Sequence, residues 1–221
     1  MKVLSVNAGL PRQVVSSGQA VTTGIYKFPV RQRVKVKKLN IEGDGQADLS
    51  VHGGPDKAVY AYPSEHYEYW RHELPGVEMP WGAFGENLSL TGLTEHDAHI
   101  GDRFRIGTAI LMLTQPRLPC YKLGIRFGRR DMPERFLSSR RTGFYFAVVE
   151  EGEVGEGDGV ELIHQDVNKI SVSDLIHLLY DREPQNPELF HKALNVGALS
   201  PGWRRQLLKR LDDSVHTEPS S

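Results

Sequence analysis

The first 164 residues consist of short β-like runs separated by Gly, Pro and Asp turns, and this rhythm constrains the fold more than any other feature. Many short strands with closely spaced turns favour a barrel or a sandwich over a parallel α/β sheet. The predicted strands are Lys2–Ala8, Val21–Val30, Arg33–Leu39, Asp102–Ile106, Ala109–Thr114, Gly143–Glu150 and Gly159–His164. Two helices, Pro63–Leu74 and Asp131–Arg140, interrupt them. The chain is therefore predicted to be mainly β, with a few helices.

The character of the sequence changes beyond about residue 165. Amphipathic patterns with Asn, Ser, Pro and Gly boundary signals predict three helices: Val172–Asp181, Pro187–Val196, and one that begins at Ser200-Pro201. Helices this short bury too little surface to be stable alone, so they must dock on the β domain or on a second subunit. If they dock on a second subunit, the protein is a homodimer, and the sequence leaves both arrangements open. The predicted division is a β domain over 1–165, a three-helix domain over 166–212 and a flexible tail over 213–221.

Size, charge and cysteine content exclude several classes of protein. The formal charge of −1 on 221 residues argues against a nucleic-acid partner. The single cysteine cannot form an intrachain disulfide, which suits a reducing compartment. The aliphatic run Ala109–Leu113 is too short to span a bilayer, and the start of the chain reads as a strand without a signal-peptide core. We therefore expect a cytoplasmic protein that does not bind a membrane.

Cys120 lies in a segment that an ordinary core strand would not contain. Pro116 and Pro119 restrict the backbone before the thiol and are expected to end the apolar strand. Arg117, Lys122 and Arg126 add positive charge, which favours the thiolate, the form that acts as nucleophile and metal ligand. The alternative is that Cys120 is a small buried hydrophobic residue, as many unpaired cysteines are.

A second candidate site is the sequence from His52 to Lys57, which contains the pair Gly53-Gly54. Adjacent glycines let backbone N–H groups approach an anion closely, and Lys57 adds a cation. The spacing of a P-loop is missing, and a plain tight turn is the alternative. Lys27, flanked by apolar residues, is a further candidate cation. The glycines from Gly152 to Gly159 are interpreted as a hairpin turn, because no helix follows them.

Four segments together resemble the MOSC domain, most closely its YiiM-like branch, in which a β-barrel precedes a small three-helix domain. The resemblance covers nearly the whole chain up to Leu211. It rests on Gly43-Asp44-Gly45-Gln46-Ala47-Asp48, on His52-Gly53-Gly54-Pro55-Asp56-Lys57-Ala58-Val59-Tyr60, on Gly85-Glu86-Asn87-Leu88 and on Gln115-Pro116-Arg117-Leu118-Pro119-Cys120-Tyr121-Lys122-Leu123.

The resemblance implies a molybdenum–pterin cofactor (molybdopterin) with Cys120 as the catalytic thiolate and protein ligand of molybdenum. It implies an oxidoreductase that reduces N-hydroxylated bases such as 6-N-hydroxylaminopurine, a detoxification, with electrons from a separate reductase protein. The candidates for holding the pterin phosphate are His52, Gly53, Gly54, Lys57 and Arg117, with Lys27 and Lys122 as further cations. Asn87 and Asp48 are candidates for orienting the pterin or the substrate.

Two other functions fit the sequence. Cys120 could carry a persulfide sulfur to a metal centre, since the same low-pKa thiol serves a sulfur carrier as well as an enzyme. The barrel could also be vestigial, with the three helices binding a partner.

Overall fold

The computed structural model describes residues 1–48, 53–181 and 186–215. Thirteen strands are formed in this part of the chain. They are β1 (Lys2–Ala8), β2 (Arg12–Ser16), β3 (Gln19–Thr23), β4 (Phe28–Pro29), β5 (Val34–Lys37), β6 (Asn40–Ile41), β7 (Val59–Pro63), β8 (Leu88–Thr91), β9 (Arg103–Ile106), β10 (Ala109–Pro116), β11 (Phe144–Glu150), β12 (Gly152–Val154) and β13 (Val160–His164).

Six α-helices and one 3₁₀ turn, Pro55–Lys57, complete the described elements. The helices are α1 (Glu65–Glu73), α2 (Tyr121–Phe127), α3 (Met132–Ser138), α4 (Val172–Tyr180), α5 (Pro187–Asn195) and α6 (Pro201–Val215). None of these described helices has the length and apolar composition needed to cross a bilayer. The prediction of a mainly β domain followed by three helices is confirmed. Helix α6 extends to Val215, beyond the predicted start of the tail, and 216–221 lie outside the described residues.

The main sheet has the strand order β13-β9-β10-β11-β7-β8-β1-β4, antiparallel except for the parallel pair of β7 and β8. Its strands alternate as expected for a half-buried sheet: Phe104 and Ile106 of β9 are buried, whereas Arg103 and Arg105 are exposed. The start of β1 approaches β13, where the Val160 N–H donates to the Met1 carbonyl over 3.1 Å. No continuous ladder joins β1 to β13 among the described residues, so the sheet curls without closing into a complete barrel.

Two sequence predictions about the strands are wrong in detail. The predicted strand Val21–Val30 is split, because β3 pairs with β2 in a separate two-stranded sheet, β4 pairs with β1, and residues 24–27 belong to neither strand. The prediction that the prolines end the apolar strand before Cys120 is confirmed, since β10 ends at Pro116, two residues beyond the predicted Thr114. The glycine-rich segment before β13 is not a hairpin, because β12 within it pairs with β5 while β11 and β13 pair with other strands.

The C-terminal helices dock on the sheet, as one of the two predicted arrangements required. Helix α4 begins with a capping box in which the Ser171 hydroxyl accepts from the Asp174 N–H over 3.0 Å. Leu175 of α4 and Trp203 of α6 belong to the same hydrophobic core as Phe146 of the sheet. The two units therefore share buried apolar surface, which fixes the position of α6 relative to β10.

Candidate functional site

A cleft with about 680 Å³ of empty space, part of it open to solvent, lies where four loop segments meet. Its walls come from the β3–β4 connection, the loop around residue 45, the turn before β7 and the segment between β10 and α2. The predicted site residues that line it are Lys27, Gly53, Lys57, Asn87, Arg117, Cys120 and Lys122. The tertiary structure thus brings together residues that lie up to 95 positions apart in the sequence.

Three predicted site residues are not among those that line the cleft. Gly54 lies next to Gly53 but does not reach the wall, and Asp48 is exposed and outside it. His52 lies outside the described residues. From the predicted glycine pair, the described structure therefore contributes Gly53 alone to the cleft.

Cys120 occupies the position immediately before α2, a helix that the sequence patterns did not reveal. Its backbone is extended (φ −121°, ψ 173°), and its carbonyl accepts from the Leu123 N–H over 2.9 Å to start the helix. The residue is half-buried, and Arg117 and Tyr145 lie within electrostatic reach of it. The thiol is therefore presented to the cleft and is not enclosed in an aliphatic core.

Arg117 is a buried cation with an unused donor. The residue is 6% exposed, and its Nη1 has no hydrogen-bond partner among the described residues. Its guanidinium carbon lies 5.1 Å from the ring centroid of Tyr60 and 4.9 Å from that of Phe136. These cation–π contacts offset part of the cost of burial, but they leave the donor unsatisfied. An acceptor supplied by an anionic ligand in the cleft would satisfy it.

Lys27 forms a buried ion pair with Asp44, a residue that the sequence analysis did not select. Burial lowers the pKa of Lys27, and the charge of Asp44 opposes that shift. The Asp44 carboxylate also accepts from the Asn87 side chain over 2.9 Å and from the Gly9 N–H over 3.1 Å. Asp44 is therefore held by three donors beside the cleft. It lies in the same sequence motif as Asp48, whose role as a site carboxylate stays a prediction.

The hydrogen bonds of Asn87 lie within the protein. Its Nδ2 donates to Asp44 and, over 3.3 Å, to the Asn7 carbonyl, while its Oδ1 accepts from the Tyr60 N–H over 3.0 Å. Both amide hydrogens are therefore engaged. Asn87 holds Asp44 and β7 in place and lines the cleft, and its direct contact with a ligand stays a prediction.

The backbone around Lys27 is packed against glycines, which explains why β3 and β4 are separate. A Cβ added at Gly82 would lie 2.7 Å from the Lys27 carbonyl oxygen. Gly82 also has a φ of 85°, which L side chains rarely adopt. Only glycine allows the 24–27 segment to approach this closely and to deliver Lys27 to Asp44. The pattern of β-branched residues carries no signal of such a contact.

Tyr60 and Tyr145 line the cleft and were missed by the sequence analysis. Their ring centroids lie 5.1 Å apart. Burial raises the pKa of Tyr145, and Arg117 partly opposes the rise, so the phenol stays protonated at neutral pH. Tyr60 donates its hydroxyl to the Thr142 carbonyl over 2.9 Å and serves as a wall. Tyr145 is part of a strand, where nothing in the local sequence distinguishes it from a packing residue.

Two protein-family models match the chain. The MOSC domain matches residues 48–161, and the YiiM-like, 3-alpha helix domain matches residues 170–213. The MOSC match runs from before β7 into β13 and includes most of the residues that line the cleft. The match to the YiiM-like, 3-alpha helix domain covers α4, α5 and most of α6.

Known proteins are similar over most of the chain. The Bacillus subtilis protein named "Uncharacterized protein YflK" is 42% identical over 98% of this chain and 97% of its own. The crystal structure of YiiM from Geobacillus stearothermophilus is 36% identical and covers 95% of this chain and 98% of its own, with a TM-score of 0.79. A Gibberella moniliformis protein named "Reductase" is 32% identical over 81% of this chain but only 32% of its own length.

Proposed function

Since the chain belongs to the MOSC-domain family, in its YiiM-like branch, we propose that it reduces N-hydroxylated bases such as 6-N-hydroxylaminopurine in the cleft at Cys120. MOSC domains are generally associated with binding of the molybdenum cofactor, and the fungal relative is named a reductase. The observation that carries the proposal is that one cleft is lined by Cys120, Arg117, Gly53 and Lys57.

The residues of the cleft fit a molybdenum–pterin cofactor. Cys120 offers one soft sulfur ligand, and the described residues contain no cluster of three or more His, Cys, Asp or Glu side chains that could hold a bare metal. A metal at Cys120 would therefore take its other ligands from the pterin. The unsatisfied Nη1 of Arg117, together with Lys57 and Lys122, suits the phosphate of the pterin tail. When bound, the cofactor supplies the two-electron redox chemistry.

The reaction balances as R–NHOH + 2 e⁻ + 2 H⁺ → R–NH₂ + H₂O. The N–O bond breaks and the oxygen leaves as water, so two protons and two electrons are needed. A separate reductase protein supplies the electrons. Tyr145 is the candidate proton donor, because its hydroxyl is protonated at neutral pH and it lines the cleft within electrostatic reach of Cys120. The protein otherwise orients the substrate and limits the access of water.

The test combines metal and pterin analysis with an activity assay on protein from a host that makes the cofactor. We expect molybdenum and pterin in the wild type, together with reduction of 6-N-hydroxylaminopurine by an artificial electron donor. Cys120→Ala should lose both. Tyr121→Ala is the control, because this neighbour is 62% exposed and does not line the cleft. A metal-free wild type that still reduces the substrate, or a fully active Cys120→Ala, would contradict the proposal.

The sulfur-carrier alternative is tested on the same samples. A carrier needs only an accessible thiol, whereas Cys120 lines a cleft whose volume and cations suit a larger anionic ligand. Intact-mass measurement would decide between the two. One added sulfur on Cys120, without any reductase activity, would replace the enzyme by the carrier.

A further inference from the structure

A second cleft, with about 1000 Å³ of empty space, lies between the β domain and the first turns of α6. It adjoins the first cleft, because Gly53, Lys57, Leu118 and Tyr145 line both. Its remaining walls are the Pro55–Lys57 turn, the end of β10 and the α6 residues around Trp203. The three-helix domain thus supplies one side of a cavity that continues from the one at Cys120.

The α6 wall is held in place by packing and hydrogen bonds. Trp203 is 3% exposed and Leu207 is fully buried in the core shared with the sheet. The Ser200 hydroxyl accepts from the Trp203 N–H over 3.4 Å at the start of the helix. Arg204 ties α6 to the end of α5 by donating to the Val196 carbonyl over 2.8 Å. The cleft is therefore a preformed cavity, as ligand sites usually are.

Gln115 is a polar residue at the floor of this cleft. The residue is 3% exposed, its carboxamide atoms keep some accessible surface, and none of the side-chain hydrogen bonds in the described part of the chain involves them. The buried carboxamides of Asn7 and Asn87, in contrast, are hydrogen-bonded within the protein. The donor and acceptor of the Gln115 carboxamide are therefore available to a ligand in the cleft.

The position of Gln115 follows from the sheet. The ladder between β10 and β9 ends at Met112, and Leu113 still exchanges backbone hydrogen bonds with Gly101 and Asp102. After Leu113, the last residues of β10 lie at an edge beside the second cleft. A carboxamide presents an N–H donor and a C=O acceptor side by side, the pattern that pairs with adjacent acceptor and donor nitrogens of a purine.

We propose that this second cleft is the substrate subsite and that Gln115 reads the donor–acceptor edge of a planar nitrogen heterocycle; this rests on the proposed function. The reacting N–OH group must point across Tyr145 and Lys57 towards Cys120, since these residues border both clefts. Gln115 then contacts the opposite edge of the base. In a free purine that edge is the N3 acceptor beside the N9–H donor. The subsite therefore selects free bases over bases substituted at N9.

The experiment measures binding of 6-N-hydroxylaminopurine and of its 9-methyl analogue to the purified full-length holoenzyme by calorimetry, alongside KM in the reductase assay. A bidentate contact of this kind is worth about 1–3 kcal/mol, so Gln115→Leu should weaken binding of the free base by about 5- to 150-fold. The wild type should discriminate against the 9-methyl analogue by a similar factor, and Gln115→Leu should remove that discrimination. Gln13→Leu is the matched control, because this glutamine is exposed on β2 and lines neither cleft, so both affinities should stay unchanged.

The outcomes separate this inference from the proposed function. Gln115-dependent binding in a protein that lacks reductase activity would support the subsite and contradict the enzyme. An active enzyme in which Gln115→Leu leaves affinity, KM and discrimination unchanged would overturn the subsite alone, as would equal losses in Gln13→Leu. Absence of purine binding by the wild type would also overturn it. The comparison of the two ligands on wild-type protein needs no variant, so the test does not depend on Gln115→Leu folding.

Discussion

Asp44→Asn removes one charge of the buried ion pair and leaves the Lys27 ammonium without a counter-ion. The Asp44 side chain is fully buried and that of Lys27 is 8% exposed, so water cannot replace the lost carboxylate. Removing one partner of a buried pair typically costs about 3–5 kcal/mol, and we expect a loss of this size in the free energy of unfolding at pH 7. The substitution also places an NH₂ group where the carboxylate accepted three donors.

The pH dependence of this loss identifies its cause. Burial already lowers the pKa of Lys27, and the carboxylate that opposes this is lost, so the pKa falls further. At pH values between this lowered pKa and the ordinary lysine pKa of 10.5, the unfolded chain binds a proton that the folded chain does not. Stability therefore rises with pH in that window, and the deficit of Asp44→Asn relative to wild type should shrink between pH 7 and pH 9.

Urea denaturation at pH 7, 8 and 9 measures the effect, with Lys27→Met/Asp44→Asn as the control. The double variant lacks both charges of this pair, so it should recover much of the lost stability and show no matching pH dependence. The reasoning would be refuted by a loss below about 1 kcal/mol. It would equally fail if the deficit were independent of pH or if the double variant were no more stable than Asp44→Asn.

Three further predictions test the site and its support. Tyr145→Phe should lower kcat for N-hydroxylamine reduction by about 10²-fold or more with molybdenum content unchanged, measured by steady-state kinetics, whereas an unaltered kcat would remove Tyr145 as the proton donor. Arg117→Met should reduce the cofactor retained on purification without lowering the melting temperature of the cofactor-free protein, because it removes a buried donor that has no partner among the described residues. Gly82→Ala should lower the free energy of unfolding by about 1–3 kcal/mol more than Gly18→Ala does, measured by chemical denaturation. Gly18 is the control because it also has a positive φ but has open space around it. Equal losses in the two variants would show that backbone strain alone matters.

The sequence predicted what local patterns encode. Alternation of apolar and charged residues placed β5, an apolar helical face placed α4, and the signal Asn186-Pro187 placed the start of α5. Motif residues placed Cys120, Gly53 and Lys57 in one site before any geometry was known. The strand and helix predictions rest on patterns within a few residues of the chain. The prediction of a common site rests on the resemblance of the motifs to the MOSC domain.

The tertiary structure decided what depends on contacts between distant segments. The 24–27 segment leaves the sheet because it packs on Gly82, and no pattern within the segment records that neighbour. Asp44 is held at the site because it meets Lys27 and Asn87, which lie far from it in the sequence. The second cleft exists because α6 docks beside the end of β10. The chain itself determines strands, caps and a reactive segment, whereas burial and the partners of each polar group arise only when separate segments pack together.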